Sequence, residues 1–348
     1  MGKHLDGSDY DIGGEFPTEL RYDLASGNWV VVAAGRSKRP ETFKTESKKR
    51  SDSDNCPFCN EEAYEHFIEA TTDGETTKKG ILPEDWSVAV IPNKFPAFFP
   101  GKELKEKIKG GLYKRMNAIG YHEVIITEDH QRALGEMSFK EARDLFLTYR
   151  NRYRDLKDKE HVNYISIFHN HGSEAGASIA HPHSQLATTP LIDVDLKSAL
   201  KISYEYRKEE DSCLHCDMQR WEKEEGERIV YENEEFLVLC PFASKVAFQL
   251  VVTPKKHLSN FEEINEDLLD SLTDAFLRAM NMLNKGLGDP PYNFYLQTAP
   301  CDGKDYDHYH WHWTILPRTA VFAGFEFGAR MEISTIKPET AAQHLKSL

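Results

Sequence analysis

The 348-residue chain contains no run of apolar residues that approaches the roughly 18 needed to span a bilayer. It also lacks an excess of positive charge, since 43 lysines and arginines face 57 aspartates and glutamates, for a net charge of −14. We therefore expect no general binding to nucleic acid or to an anionic membrane, and any phosphate must be held by a local cluster of donors. The first residues do not show the basic-then-apolar pattern of a signal peptide, which predicts a cytoplasmic protein.

Cysteine is scarce, with six residues in the whole chain, and this excludes the disulfide framework of a small secreted domain. Four of the six form two close pairs, Cys56-Pro-Phe-Cys59 and Cys213-Leu-His-Cys216. In a reducing compartment, this spacing indicates either a metal site or a redox dithiol. Each pair is followed by histidines that a redox dithiol would not explain, so the pattern favours metal binding.

The same order of motifs occurs twice along the chain. Each half has a CxxC pair, short apolar runs, a lone histidine, a helical segment and a His-x-His motif. The lone histidine and the His-x-His motif are 51 residues apart in the first half (His130 and His181) and 53 apart in the second (His257 and His310). The repetition predicts two similar domains, residues 18–190 and 191–348, after a mobile N-terminus of residues 1–17.

Each half is expected to combine strands with one long helix. A capping box that starts at Ser138 predicts the first helix, whose buried face runs from Phe139 to Leu156. Asn265 is expected to open the second helix, which would end at Gly286 or Gly288. Residues 101–116 are predicted to form a surface loop. Short β-branched or aromatic runs predict the strands, namely 88–91, 124–127, 164–168, 236–239, 250–253 and 294–297. The predicted fold class is α+β, with two tandem units that each pack a helix on an antiparallel sheet.

The repeated ligand types predict two structural zinc sites, and thus one or two zinc ions per chain. Zinc is held by four cysteine or histidine ligands in a tetrahedron, and a CxxC turn supplies two of them. His122 competes with His130 for the first site, and the spacing does not decide between them. The predicted ligand sets are Cys56, Cys59, His130 and His181, and Cys213, Cys216, His257 and His310.

One histidine is predicted to be reactive. In an extended strand His181, His183 and Gln185 would point to the same side, because alternate residues share a face. If His181 binds metal, His183 is left as a free imidazole next to a Gly- and Ser-rich loop that suits a phosphate. The alternative is that His183 only packs in the core. The second half has Thr314 where Gln185 stands and lacks the Gly-x-Ser loop, so we expect one reactive histidine per chain.

The stretch Asn170-x-Gly-x-x-x-Gly176-x-Ser178 followed by His-Pro-His-x-Gln resembles the galactose-1-phosphate uridylyltransferase family of the histidine-triad superfamily. The resemblance covers nearly the whole chain. It implies two histidine-triad-like units, a homodimer, and a ping-pong reaction between a UDP-hexose and a hexose 1-phosphate in which His183 carries the nucleotide. Gln185 can donate a hydrogen bond but not a proton, which favours transfer over hydrolysis. The resemblance also implies the substrate-binding residues: Arg36 and Arg39 for phosphate or nucleotide, Asn93 for the nucleoside, Asn170, Gly176 and Ser178 around the phosphoryl group, and Glu326 for the sugar hydroxyls.

The sequence departs from some relatives at two positions, which leaves the sugar open. Ala320 and Phe325 stand where those relatives carry a lysine and a tyrosine. The second cysteine pair resembles a variety of the family that includes a plant ADP-glucose phosphorylase. Three hypotheses follow: uridylyl transfer between UDP-glucose and galactose 1-phosphate, adenylyl transfer from an ADP-sugar to phosphate, and zinc-stabilised nucleotide binding without turnover. The base preference stays open at this point.

Overall fold

The computed structural model describes residues 18–34, 43, 53–78 and 80–348. The predicted mobile residues 1–17 and both Arg36 and Arg39 lie outside this part of the chain. Among the described helices, none is long and apolar enough to cross a membrane. The strands are β1 (Glu19–Tyr22), β2 (Trp29–Val32), β3 (Glu69–Thr72), β4 (Glu75–Thr77), β5 (Val88–Pro92), β6 (Glu106–Lys109), β7 (Tyr113–Met116), β8 (His122–Thr127), β9 (Tyr164–His171), β10 (His183–Thr189), β11 (Ile229–Glu232), β12 (Phe236–Leu239), β13 (Leu250–Pro254), β14 (Tyr292–Gln297), β15 (His312–Pro317) and β16 (Ile333–Ser334). The α-helices are α1 (Phe139–Leu156), α2 (Val194–Glu210), α3 (Leu214–Glu225), α4 (Glu266–Leu287), α5 (Gly324–Ala329) and α6 (Pro338–Lys346).

Eleven strands form one antiparallel sheet that runs through both halves of the chain. Its order is β11-β12-β13-β15-β14-β9-β10-β8-β5-β3-β4. The five strands from the second half meet the six from the first where β14 pairs with β9, with Phe294 opposite His169. The α+β class with antiparallel sheet is confirmed. The division near residue 190 falls between β10 and α2 and stays a prediction.

The strand registers make the internal repeat explicit. Gln185 lies opposite Val124 in the pair β10–β8, and Thr314 lies opposite Val251 in the pair β15–β13. On their other sides, Gln185 lies opposite Phe168 and Thr314 opposite Tyr295. Equivalent positions in the two units follow by counting along these strands: His183 and His312, His122 and Gln249, Asn170 and Gln297.

The two long helices share one hydrophobic core. The side chain of Ser138 accepts the N–H of Glu141 and caps α1, while Asn265 caps α4 in the same way. Phe146 of α1 and Phe276 of α4 lie in this core with ring centroids 5.0 Å apart. Because apolar burial drives such packing, the joint core holds the two halves of the sheet together.

Two local predictions were wrong. Phe139 was placed on the buried face of α1 but is 45% exposed, since it is the first residue of the helix and lies beyond the sheet-facing stripe. Residues 101–116 contain a hairpin, β6–β7, rather than a loop. Gly110 and Gly111 both have positive φ, which is the backbone conformation that tight hairpin turns need.

Candidate active site and metal centres

The first cysteine pair meets two histidines from distant parts of the chain. The Sγ of Cys59 is 3.2 Å from Nδ1 of His130 and 3.5 Å from Nδ1 of His181. The two Nδ1 atoms are 3.2 Å apart, and the Sγ of Cys56 is 3.6 Å from Nδ1 of His181. Ligands bonded to a tetrahedral zinc at about 2.0–2.3 Å lie about 3.3–3.8 Å from one another. The four side chains therefore have the types and spacing to hold a metal ion.

The second cysteine pair forms an equivalent cluster. The Sγ of Cys216 is 3.5 Å from Nδ1 of both His257 and His310. The ligand atoms of this cluster, which includes Cys213, all lie within 4.8 Å of one another, as they do in the first cluster. Both predicted ligand sets are thus brought together. His130, and not His122, completes the first set.

Backbone carbonyls orient the histidines of both clusters. The Nε2 of His181 donates to the carbonyl of Thr127 at 2.6 Å, and that of His310 to Pro254 at 2.9 Å. An imidazole that donates from Nε2 presents the lone pair of Nδ1, as a metal ligand must. Burial, followed by the neighbouring Cys56, raises the pKa of the Cys59 thiol to about 11. A bound cation would favour the thiolate form that metal binding requires.

His183 begins β10 and points its ring into a cleft. Its Nδ1 donates to the carbonyl of His181 at 2.8 Å, which leaves the lone pair on Nε2. Among the described residues, none hydrogen-bonds to this Nε2. His183 as a residue is 8% exposed, and its ring contacts that of Phe58 with centroids 5.2 Å apart. Burial lowers the pKa of His183, and the hydrogen bond to His181 opposes part of that shift. A neutral imidazole with a free Nε2 is suited to nucleophilic attack.

Gln185 belongs to a polar cluster beside His183. Its Oε1 lies 2.9 Å from Nε2 of His122 and 3.4 Å from Nδ2 of Asn93. The N–H of Ala97 donates to Nδ1 of His122, and the N–H of Phe95 donates to Oδ1 of Asn93. The loop after β5 thus fixes both neighbours of Gln185.

The cleft has a volume of about 920 Å³, which lies within the roughly 300–1,000 Å³ of small-molecule sites. Its walls come from the CxxC segment, the loop after β5, strand β8 and the segment that precedes β10. Lys94 contributes a positive charge to these walls. The predicted site residues that line the cleft are Asn93, Ser178, His183 and Gln185.

The Gly- and Ser-rich loop before His181 is held by the second half of the sheet. Nδ2 of Asn293, on β14, donates to Oδ1 of Asn170 at 2.7 Å and to the carbonyl of Ala175 at 2.8 Å. Gly176 has a φ of +88°, a conformation that glycine adopts without strain, and its N–H donates within the turn. Ser178 follows, and no hydrogen bond between described residues uses its N–H. Asn170 lies behind the loop and does not line the cleft.

The equivalent histidine of the second unit is capped. The Nε2 of His312 lies 3.0 Å from Oε1 of Gln297, whereas Asn170, at the equivalent position in the first unit, bonds to Asn293 instead. The space around His312 encloses only about 140 Å³. Of the two equivalent histidines, His312 is therefore hydrogen-bonded at Nε2, whereas His183 has no partner there among the described residues.

Glu326 lies away from this cleft. It is on α5, where its carboxylate accepts the N–H of Ala323 at 2.9 Å, and no residue of 320–330 lines the cleft. Two residues of the cleft were not predicted from the sequence. Phe58 sits inside the CxxC motif, where nothing marks it as a neighbour of His183. His122 was predicted only as a possible metal ligand, because the strand register that sets it opposite Ala187 on β10 is visible only in the structure.

Two family models match nearly the whole chain. The N-terminal domain of galactose-1-phosphate uridyl transferase matches residues 15–192, and the C-terminal domain matches residues 199–348. ADP-glucose phosphorylase from Arabidopsis thaliana is 28% identical over 95% of this chain and 93% of its own length. Galactose-1-phosphate uridylyltransferase from Thermotoga maritima is 29% identical over 94% of this chain and 98% of its own length.

Solved structures agree with these matches. A galactose-1-phosphate uridylyltransferase-like protein from Arabidopsis thaliana superposes with a TM-score of 0.76 at 26% identity, over 95% of this chain and 99% of that one. The crystal structure of Arabidopsis thaliana ADP-glucose phosphorylase with bound ADP-glucose shares the fold, with a TM-score of 0.77 at 24% identity over the same shares of the two chains. The family models, the relatives and the fold agree, and the chain belongs to the galactose-1-phosphate uridyl transferase family.

Proposed function

We propose that this protein moves UMP between UDP-glucose and galactose 1-phosphate by a ping-pong route through a nucleotidyl-His183 intermediate. The observation that carries the proposal is the position of His183, which lines a cleft of nucleotide size and whose Nε2 has no hydrogen-bond partner among the described residues. Membership of a transferase family and the Thermotoga maritima relative support the uridylyl assignment.

The chemistry consists of two displacements at one phosphorus atom. The Nε2 lone pair attacks the α-phosphorus of the sugar nucleotide, the bond to the bridging oxygen breaks, and hexose 1-phosphate leaves with the electron pair. An oxygen of the second hexose 1-phosphate then attacks the same phosphorus, and the P–N bond breaks. The imidazole gains positive charge in the intermediate, and its Nδ1–H stabilises that charge by donating to the carbonyl of His181. The leaving group is stable as an anion, so no strong general acid is needed.

The remaining predicted site residues have roles that fit their positions. Gln185 would donate to a phosphoryl or bridging oxygen, and Asn93 lies where a nucleoside would meet the loop after β5. Ser178 would bind a phosphoryl oxygen, while Asn170 and Gly176 shape the loop that carries it. The family resemblance assigns Arg36 and Arg39 to phosphate or nucleotide and Glu326 to the hexose, and these roles stay part of the proposal.

We assign zinc to one or both Cys₂His₂ clusters. Four ligands without an open position are typical of structural zinc, so the ion would supply rigidity rather than a reacting group. His181 links the first Cys₂His₂ cluster to the reactive histidine, because its ring belongs to that cluster while its carbonyl orients His183.

The second candidate is adenylyl transfer from an ADP-sugar to phosphate. The Arabidopsis thaliana phosphorylase, similar over 95% of this chain, favours it. Both activities would use the same His183, so the base and the second substrate distinguish them. Binding without turnover is the remaining hypothesis.

Incubation with UDP-glucose and, separately, with ADP-glucose tests these alternatives by mass spectrometry of the intact chain. A UMP adduct supports uridylyl transfer, and an AMP adduct supports the phosphorylase. His183→Asn should abolish the adduct, whereas His312→Asn, the matched change in the second unit, should leave it. A correctly folded wild-type protein that forms neither adduct would overturn the proposal.

A homodimer and a cytoplasmic location are also part of the proposal. The homodimer is implied by the family resemblance, and Val321 (91% exposed) and Phe327 (73% exposed), which flank the 324–326 segment that the resemblance links to the sugar, offer apolar surface to a second chain. Light scattering of the purified protein would determine the number of chains.

A further inference from the structure

We propose that His122 is a positioning residue that fixes the amide of Gln185, so that its NH₂ group and not its oxygen faces the phosphoryl group. The inference rests on the proposed function and deepens it. It concerns a side chain that holds no metal, since the first cluster takes His130 instead.

The proton on His122 can be located from a backbone hydrogen bond. The N–H of Ala97 donates to Nδ1 of His122 at 3.0 Å, so Nδ1 carries a lone pair. A neutral imidazole then carries its proton on Nε2. Nε2 lies 2.9 Å from the side-chain amide of Gln185 and must donate to it. The amide therefore turns its oxygen, Oε1, towards His122.

Asn93 supports the same orientation from the other side. The N–H of Phe95 donates to Oδ1 of Asn93 at 2.9 Å, which leaves the NH₂ of Asn93 as the donor to Oε1 of Gln185. Nδ2 of Asn93 also lies 3.3 Å from Nε2 of His122, but two N–H groups that face each other cannot bond. Two backbone N–H groups of one loop thus dictate how Gln185 is turned.

The orientation matters because an amide has two unlike ends. With Oε1 occupied, the NH₂ group remains for the cleft and can donate to a phosphoryl oxygen. If the amide turned over, its oxygen would face the negative phosphoryl oxygens and repel them. Loss of one hydrogen bond to a charged group slows such a step by about 10- to 100-fold.

The second unit shows that the position of His122 has two separate tasks, which are to anchor the loop after β5 and to donate a hydrogen bond to Gln185. Ile91 lies opposite Val124, and Leu239 lies opposite the equivalent Val251, so Ile91 and Leu239 are equivalent. Ala97 and Lys245 each follow six residues later and are therefore equivalent too. In the second unit the N–H of Lys245 donates to Oε1 of Gln249 at 2.7 Å, just as Ala97 donates to His122 in the first.

Both units therefore anchor this loop with a side-chain acceptor. Only the first unit continues from that side chain to a second one, because no hydrogen bond between described residues joins Gln249 to Thr314. Anchoring does not require an imidazole, and the N–H that His122 directs at Gln185 is the addition found in the unit with the uncapped histidine.

The test is a double-mutant cycle on the single-turnover rate of His183 nucleotidylation at saturating sugar nucleotide. H122N keeps an acceptor near the position of Nδ1 but removes the donor at Nε2, and we expect a rate about 10- to 100-fold lower with little change in affinity. In a Q185A background the same change should have no further effect, because His122 acts only through Gln185. H122Q carries both an acceptor and a donor and should restore most of the rate.

Three results would overturn the inference. The first is that H122N lowers the rate by the same factor in the wild type and in the Q185A background. The second is an H122Q rate as low as that of H122N, and the third is an H122N rate equal to that of the wild type. Melting temperatures of all variants check that the loop is intact, and H122Q carries the test if H122N fails to fold. Failure of the proposed function is a separate outcome, because the wild-type protein itself would then form no adduct.

Discussion

Glu69 is a buried carboxylate whose replacement by glutamine should stabilise the protein above neutral pH. It lies on β3 with its side chain inaccessible to solvent, and neither carboxylate oxygen has a hydrogen-bond partner among the described residues. The nearest cations are Arg152, at 3.7 Å, and Lys78, at 3.8 Å. Arg152 is already bound by both oxygens of Glu123, at 2.7 and 2.9 Å. Glu69 is thus left as the less well compensated carboxylate.

The size of the effect follows from the pKa of this group. Burial raises the pKa of Glu69 from 4.5 to about 7, although Arg152 and Lys78 oppose the shift. Between these two pH values the folded protein holds a proton that the unfolded chain has released. The free energy of unfolding therefore falls as the pH rises from about 4.5 to about 7 and then levels off. At about 1.4 kcal/mol per pKa unit, the loss amounts to roughly 3 kcal/mol.

Glu69→Gln replaces the protonated acid by a neutral group of the same shape. We expect the variant to match the wild type near pH 4.5 and to exceed it by about 3 kcal/mol at pH 8. For a chain of this size, that is an increase in melting temperature of roughly 4 °C. Scanning calorimetry at several pH values measures it.

Glu123→Gln is the matched control with the opposite sign. It breaks the buried pair with Arg152, and we expect a loss of about 3–5 kcal/mol. The reasoning about Glu69 would be refuted if its glutamine variant were no more stable than the wild type at pH 8, or if its stability kept the same pH dependence.

Three further predictions concern the metal, the hydrophobic core and a helix cap. Removal of bound metal by a chelator should lower the melting temperature and the rate of adduct formation on His183 together, because the carbonyl of His181 orients that ring. Metal analysis with single-turnover kinetics checks this, and full activity without metal would contradict it. Leu272→Ala should cost about 2–5 kcal/mol in urea unfolding, since Leu272 is buried in the joint core, whereas Leu277→Ala, at a partly buried position, should cost clearly less. Asn265→Ala should cost about 1 kcal/mol by loss of the cap on α4, and Asn265→Asp should retain most of the stability.

Several features could be predicted because they depend on near neighbours in the chain. The helix caps, the helix faces and the central strands follow from local hydrogen bonding and from periodicity, so α1, α4 and the predicted strands appear where expected. The internal repeat made the ligand sets visible, since it paired each CxxC with two histidines. Phe139 was missed because it lies at the end of a helix, where boundaries are least certain. The β6–β7 hairpin was missed because its strands are almost fully exposed and show no alternation of apolar and polar residues.

The order of residues along the chain determined which side chains are available for chemistry: two sets of candidate metal ligands, one His-Pro-His strand and one glutamine beside it. Only the tertiary structure decided between His130 and His122, because residues 50 or more positions from their partners meet according to how sheets and loops pack. The same packing joined β9 to β14, capped His312 with Gln297 and left His183 open. Distances between remote side chains are set by the whole core, and no local pattern contains them.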